Sequence, residues 1–538
     1  MILISNLITR ICSVFTVKRI LTMMSKPSFL AVLYVTYKSV KMGLKARRLN
    51  KFSSGFYTPD RNKFFGNFAE FVATMRKTVA DGSISEAFLH WRGEKFQIAA
   101  KTNARDIRAW IFKILPWRQL LYVSDPELVH ILTNINPAYV TKGGFTEDVL
   151  LTDKNGFTNG LVMLEHEAWY QQRKIVSKMF NANQLESYIT HMDQSALQFV
   201  DILSKCTKFD AEIPFNASRS FIYEILFKCL FGENDCTCQT TSDYDDTITM
   251  FGTMGSIINW KVQNLPLLIF VQNVPILGPL VGRFVTKLKE EQVLCKKRDE
   301  YMGNIVRKAT EDYEVGQSGD DIASVLIKAK MTTSGSTLSA KHIHAHLFTL
   351  LFAGHETTLA AVCWCIYYLG ERDDCRAKIC AEFEELGGRV TRETLQKATY
   401  TTAFINEVLR LCHVIDLMVP RKLLRDIQFP DGRVMPAGMQ FIVDVGSMHR
   451  DPRYNEPLTF NPQRFLETRP EKNTFIPFGA GKRNCVGKNF AMQLIKIALF
   501  RISSNLKVEN LDNGVCNQME GVSWRPKSGT LLQRFHLL

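Results

Sequence analysis

Helices dominate the elements that can be read from this 538-residue sequence, and three stretches carry that expectation. From Ser339 to about Gly370 the pattern is one long helix, polar in its first two turns and then apolar over most of its surface, with Ile343, Leu347, Leu350, Leu351 and Ala360 along it. A helix that long and that apolar must run through a core. A second apolar run, Phe490 to Phe500, sets Ala491, Leu494, Ile495 and Leu499 at helical spacing just after Cys485. The third signal is Ser124-Asp125-Pro126-Glu127, which opens a helix with a cap at Ser124 or Asp125 and proline near its first turn, behind a strand at Leu121 to Val123.

Composition bounds the rest. With 46% hydrophobic and 22% charged residues the chain can build a large core, and no period of roughly 20 to 50 residues suggests a repeat architecture. The first 59 residues hold no acid but ten Lys or Arg, a large part of a net charge of +14. Two apolar stretches lie there, Met1 to Val17 and Pro27 to Tyr37. Neither supplies the roughly 20 residues of a membrane span. The basic cluster Lys38, Lys41, Lys45, Arg47, Arg48 and Lys51 follows, and would keep that end on the cytosolic side of a membrane. A monotopic membrane anchor is preferred over a mitochondrial presequence, which the acid-free start also fits. No nucleic-acid motif accompanies the charge. The thirteen scattered cysteines show no paired metal spacing and imply a reducing compartment. Further on, Leu265 to Gly282 is apolar but broken by three prolines, a core segment or one that dips into lipid. Glu311 to Asp321 reads as an exposed polar loop.

The richest stretch runs from Phe475 to Gly487, around Cys485. A thiolate can be the axial ligand of haem iron, where it favours O–O cleavage. Gly479, Gly481 and Gly487 lack a Cβ and would let the backbone turn tightly against a flat macrocycle. A helix starting just beyond would aim its N-terminal N–H groups at the sulfur anion. Arg483 could pair with a haem propionate, and Phe478 could shield the sulfur from water. In the long helix, Ala353-Gly354-His355-Glu356-Thr357-Thr358 puts a glycine in mid-helix, at a cost of about 1 kcal/mol, as if something needed the space beside it. An acid and an alcohol follow that could deliver protons to a ligand held there. Left to itself, Thr357 bonded to a backbone carbonyl is the plainer account.

The pattern F-x-x-G-x-R-x-C-x-G is met at Phe478, Gly481, Arg483, Cys485 and Gly487, and the segment closely resembles the cysteine loop of the cytochrome P-450 monooxygenases. The stretch Ala353 to Thr358 resembles that family's oxygen-activating motif, with Thr357 contacting dioxygen and Glu356 feeding protons through water. Glu407 and Arg410 match its E-x-x-R pair, which locks onto the arginine of a later P-x-R-F stretch, here Arg464. Trp169 and Arg173 resemble its W-x-x-x-R, and Arg421, after Val419-Pro420, matches another propionate partner. His413 to Met418 would form a wall of the substrate cavity, with Val414 where proline is usual. Pro59 to Phe68 looks like the hinge that follows the anchor.

The resemblance implies a mainly α fold with a smaller β-rich part, the cytochrome P-450 fold. Residues 59–538 would form a single large domain behind an anchor and basic hinge at 1–58, because motifs from Trp169 to Cys485 must meet on one haem. It implies haem b on Cys485, O2 as co-substrate and a lipophilic substrate such as a sterol, fatty acid or xenobiotic. With no flavin or nicotinamide segment in the chain, electrons come from a partner. Lys482 and Lys488 suit an acidic one. Asn406 stands where mitochondrial members carry lysine, which favours an NADPH-dependent diflavin reductase at the endoplasmic reticulum over a ferredoxin at the mitochondrial inner membrane. Two rival expectations are an isomerase or dehydratase of the same fold, whose members tend to lose the acid and alcohol kept here, and a haem sensor without turnover. Of the histidines, His342 and His346 stand four apart but lack a third ligand, and His355-Glu356 begins an H-E-x-x-H that Leu359 breaks. Those, with His344 and His166, read as core or surface residues.

Overall fold

The computed structural model describes residues 43–52, 108–115, 118–142, 159–232, 253, 257, 286–332, 338–511, 517–520, 523–526 and 531–538. The apolar N-terminal stretches, the Pro59–Phe68 hinge and the Leu265–Gly282 segment lie outside these.

Strands β1 (Ala109–Leu115), β2 (Arg118–Val123), β3 (Val140–Thr141), β4 (Arg421–Leu423) and β5 (Gln440–Val443) form one sheet in the order β1-β2-β5-β4-β3. All neighbours are antiparallel except β2 and β5, which run parallel with Leu121 opposite Phe441. The strand expected at Leu121 to Val123 is the end of β2. Helix α1 (Pro126–Asn134) follows, and of its two candidate caps Asp125 serves, accepting the N–H groups of Glu127 and Leu128 at 3.0 Å. A core of Ile111, Leu121, Val129, Met439 and Phe441 sits behind this sheet. Residues 43–52 form a helix whose Leu49 and Phe52 enter the same core while Arg47, Arg48 and Lys51 stay exposed. Four of the six residues of the basic cluster read from the sequence, Lys45, Arg47, Arg48 and Lys51, therefore lie on a helix that packs on the sheet lobe.

The larger core is helical. It is built from α2 (His166–Ser177), α3 (Ile189–Ser204), α4 (Glu212–Phe231), α5 (Thr286–Glu314), α6 (Ala340–Glu371), α7 (Thr399–Leu411) and α8 (Lys488–Asn505). The long helix α6 is its axis, packed on α4, α5, α7 and α8. Ser339 caps α6 by accepting the His342 N–H, and the His342 ring answers to the Ser339 N–H, each at 3.3 Å. It has the length and hydropathy to cross a membrane, yet 78% of that window is buried inside the protein, which makes it a core helix. Helix α5 runs to Glu314, so the loop expected from Glu311 begins four residues later. Arg307 pairs with Glu311 at 3.0 Å along the helix, Tyr313 packs on the core, and Gly316 at φ 75° ends the helical path. Past α8 the chain closes with two antiparallel strand pairs: β6 (Leu506–Asn510) with β9 (Gln533–Leu537), and β7 (Asn517–Glu520) with β8 (Ser523–Pro526). Strand β8 lies against α6.

Candidate functional site

The cysteine loop is shaped by its backbone. Gly479 (φ 73°) and Gly481 (φ 67°) occupy the left-handed region that disfavours a Cβ. At Gly481 a Cβ would also stand 2.1 Å from the Thr133 carbonyl oxygen at the end of α1. Gly487 has no positive φ, and a Cβ there would meet Phe180 at an ordinary 3.9 Å. It marks the start of α8, as foreseen, and its N–H and that of Lys488 point at the Cys485 sulfur. The Cys485 N–H donates to the Phe478 carbonyl at 2.8 Å, while the Phe478 ring lies under the Lys488 ammonium at 5.9 Å. Cys485 is exposed to solvent. Burial pushes the thiol above its usual range, against which work the two N–H groups and the charges of Arg173 and Lys488.

Behind the loop, Glu407 and Arg410 of α7 are fully buried and doubly bonded, Nε to Oε2 and Nη2 to Oε1, both at 2.8 Å. Arg464 reaches Glu407 at 3.1 Å. Arg410 also donates to the carbonyls of His449 at 2.9 Å and Pro457 at 2.6 Å. His449 carries this brace to the loop by accepting the Ile476 N–H on Nε2 at 2.9 Å. Burial pushes His449 down to about 3, so its ring is neutral and free to accept. Nothing in the sequence around His449 pointed to this.

Arg173, Arg421 and Arg483 lie close enough that the charges of Arg421 and Arg173 act on Arg483. Arg483, not Arg173, lies over the Trp169 ring at 3.9 Å, and it also donates to the Leu164 carbonyl at 2.8 Å. Arg173 grips Asn484, donating to its carbonyl at 2.9 Å and its side-chain oxygen at 3.0 Å. Arg421 begins β4, and burial lowers it to about 10, as it lowers Arg483 to about 9. A further cation was missed: Lys142, just past β3, is 3% exposed and its Nζ has no hydrogen-bond partner. Desolvation, then Arg421 and Arg483, lower its pKa well below normal. The charge of Glu165 opposes these shifts. It accepts the Thr141 hydroxyl at 2.7 Å and the Lys142 backbone N–H. A buried ammonium without a partner is costly unless an anion comes to it. These residues therefore fit a group that brings carboxylates. Only folding brings Lys142 to Arg421, so no sequence signal could have found it.

On α6, Ala353 and Thr357 share an accessible face in the middle of a helix whose neighbouring residues are mostly buried. The Thr357 hydroxyl donates to the Ala353 carbonyl at 2.7 Å, the plainer account given above. The space beside Gly354 belongs to α4: a Cβ would stand 3.1 Å from the Leu226 methyl. Glu356 is buried, with His355 Nδ1 3.7 Å and Arg525 Nη1 4.0 Å from its carboxylate oxygens. Along the stretch expected to wall a cavity, Ile415, Leu417 and Met418 are partly exposed, while His413 and Asp416 turn inward to each other at 3.1 Å. His342 serves the α6 cap, and His346 bonds Gln172 at 2.9 Å.

A helical core and a small sheet that bring a cysteine loop, the middle of a long helix and a set of cations together define a haem-thiolate protein. The family model described as Cytochrome P450 matches residues 109–533, and the chain belongs to that family. Human Cytochrome P450 4X1 is 26% identical over 512 residues, covering 90% of this chain and 92% of the relative. Rat Cytochrome P450 4A10 is 29% identical over 63% of this chain and 67% of its own length. The pig Taurochenodeoxycholic 6 alpha-hydroxylase is 25% identical over 69% and 74%. Among solved structures, the retinoic acid-bound cyanobacterial CYP120A1 superposes with a TM-score of 0.66, at 22% identity over 82% of this chain and 94% of that one, which shows the fold. As a member of the family the chain is a haem-thiolate monooxygenase, taking electrons from a redox partner and inserting one atom of O2 into a lipophilic substrate.

Proposed function

We propose that Cys485 is the axial thiolate of haem b, and that α6 carries the oxygen chemistry at Ala353, Gly354, Glu356 and Thr357. The observation that supports it best is the orientation of the Gly487 and Lys488 N–H groups and the Arg173 charge toward one sulfur. Haem held through a thiolate supplies the binding of O2 and the cleavage of its O–O bond. The chain supplies position and charge. The Glu407–Arg410–His449 brace fixes the loop, Phe478 and the turn at Gly479 wall the sulfur, and Trp169 steadies Arg483. Lys142, Arg421 and Arg483 bind the cofactor's carboxylates, while Arg173 stiffens the loop through Asn484. Thr357 offers a hydroxyl on the open face of α6, and Glu356 holds the proton that passes to that face through water. The residues from Ile415 to Met418 exclude water beside an apolar substrate.

The redox partner is an NADPH-dependent diflavin reductase. Lys482 and Lys488 are exposed next to Cys485 and suit an acidic docking face. The protein works at the cytosolic face of the endoplasmic reticulum membrane, held by residues 1–58, and its substrate is a sterol, fatty acid or bile-acid-like steroid, the last suggested by the porcine relative's name. The deciding experiment is the absorption spectrum of the reduced carbon monoxide complex. The thiolate-type band is expected in the wild type and lost in Cys485→Ser; its absence from the wild type overturns the assignment. Screening lipid classes for water displacement from the ferric haem then sorts the substrates.

A further inference from the structure

Glu165 stands at the N-cap position of α2, where an acid usually accepts the first free N–H groups of the helix. Its carboxylate makes no such bond. It reaches across to β3 instead, accepting the Thr141 hydroxyl at 2.7 Å and the Lys142 backbone N–H. The backbone turns sharply beside it. His166, the next residue, is held at φ 48°, a region that a side chain rarely occupies. Its ring fixes that turn, with Nδ1 3.2 Å from the Pro137 carbonyl ahead of β3 and Nε2 3.8 Å from Glu165 Oε2. Backbone strain of this kind persists only where the surroundings impose it.

The two elements so joined carry a cation and the support of another. Lys142 follows β3 with its Nζ buried and without a hydrogen-bond partner, and Trp169, in the first turn of α2, lies under Arg483. Among the described residues, the charges that act on Lys142 are those of Arg421, Arg483 and Glu165. Three cations and one acid leave two positive charges, which matches the two carboxylates of haem b. Arg173 is engaged elsewhere, since its charge faces Cys485. The Glu165 side chain is 28% exposed, so water screens part of its charge and its effect is moderate.

We propose that Glu165 is a positioning residue for the cofactor's carboxylates and a determinant of its reduction potential: it fixes Lys142 at the end of β3 and holds the cation cluster at a charge that balances two carboxylates and no more. The role rests on the reading that Lys142, Arg421 and Arg483 bind those carboxylates. Excess positive charge beside the cofactor favours its reduced, more negative state. The Glu165 charge opposes this and keeps the potential low. It also stabilises the buried ammonium of the haem-free chain.

Two readouts need neither substrate nor reductase: the ferric–ferrous midpoint potential of the holoenzyme, and the rate at which it gives up haem to excess apomyoglobin. Glu165→Gln keeps the shape and an acceptor for Thr141 and Lys142 but removes the charge. It is expected to raise the potential by about 30–60 mV, a change of roughly threefold to tenfold in the equilibrium constant of a one-electron couple. Haem transfer should slow about threefold, because the cations outnumber the carboxylates. The haem-free variant melts at a lower temperature, since Lys142 loses a nearby counter-charge. Glu165→Asp keeps the charge but is too short to hold β3, so its potential stays near that of the wild type while haem transfer runs faster. Lys142→Met shifts the potential in the opposite direction to Glu165→Gln. A residue that only supports the fold would release haem faster in Glu165→Gln and leave the potential where it was. That result, beside a lowered potential in Lys142→Met, overturns the role of Glu165 and leaves the cation assignment standing. If Lys142→Met moves neither the potential nor the transfer rate, the assignment of the cations to the haem carboxylates itself fails.

Discussion

The two sides of the site are held in different ways. On the cysteine side, charged groups end on backbone: Arg410 on the carbonyls of His449 and Pro457, Arg173 on that of Asn484, Arg483 on that of Leu164. On the α6 side, Glu356 faces side chains, its own neighbour His355 at 3.7 Å and Arg525 of β8 at 4.0 Å. Hydrogen bonds to main chain fix a loop in one geometry, whereas ion pairs between side chains can trade partners. A ligand atom must not move, but a proton carrier must. That is the physical content of the asymmetry.

Variants should expose it, beginning on the fixed side. Cys485→Ser is expected to abolish the thiolate-type spectrum while the far-ultraviolet circular dichroism stays intact. Glu407→Ala leaves Arg410 buried without its counter-charge, which should cost about 3–5 kcal/mol in chemical denaturation and empty the protein of haem during purification. Gly481→Ala forces a Cβ into the left-handed region and toward Thr133. A loss of about 1–3 kcal/mol is expected by the same measurement.

Lys142→Met sharpens the comparison through opposite signs. It removes an unpartnered buried ammonium, so the haem-free protein should gain about 1 kcal/mol in thermal unfolding, while haem transfer to apomyoglobin should run about tenfold faster. A lysine with only a structural role would move both the same way.

A pH slope tests the buried histidines of both sides. His346, His355 and His449 are each lowered to about 3 by burial, against 6.5 for an ordinary histidine. Between those values the unfolded chain binds more protons than the folded one. Stability is therefore complete above about pH 6.5 and falls toward pH 3, by up to about 1.4 kcal/mol per pH unit for each histidine. Proton uptake on unfolding near pH 5 checks it, and His346→Gln should shrink the uptake by about one proton.

Local pattern made much of this legible. The α6 period, the Asp125 cap and the glycines around Cys485 are properties of short segments, and so is the E-x-x-R spacing that puts Glu407 and Arg410 on one face of α7. Where expectation failed, the deciding contact came from elsewhere in the chain. Trp169 and Arg173 are one turn apart, and their contacts come from the distant loop: Arg483 lies over the ring and Arg173 turns to Asn484. Gly354 suggested that something needs the space beside it, and on its Cβ side that neighbour is Leu226 of α4. The polar run from Glu311 looked like loop because it is polar, yet its first turn is the solvated end of α5.

The sequence by itself determined a mainly helical protein with a thiol before one helix and an acid–alcohol pair within another, because periodicity, capping and glycine placement act over a few residues, and the motif around Cys485 carried the resemblance to a haem-thiolate family. Tertiary structure alone decided which cation serves which partner. It brought Lys142 to Arg421, His449 to Ile476 and Arg525 to Glu356. The reason is that burial and Coulomb attraction depend on distance in space, and these pairs are far apart along the chain.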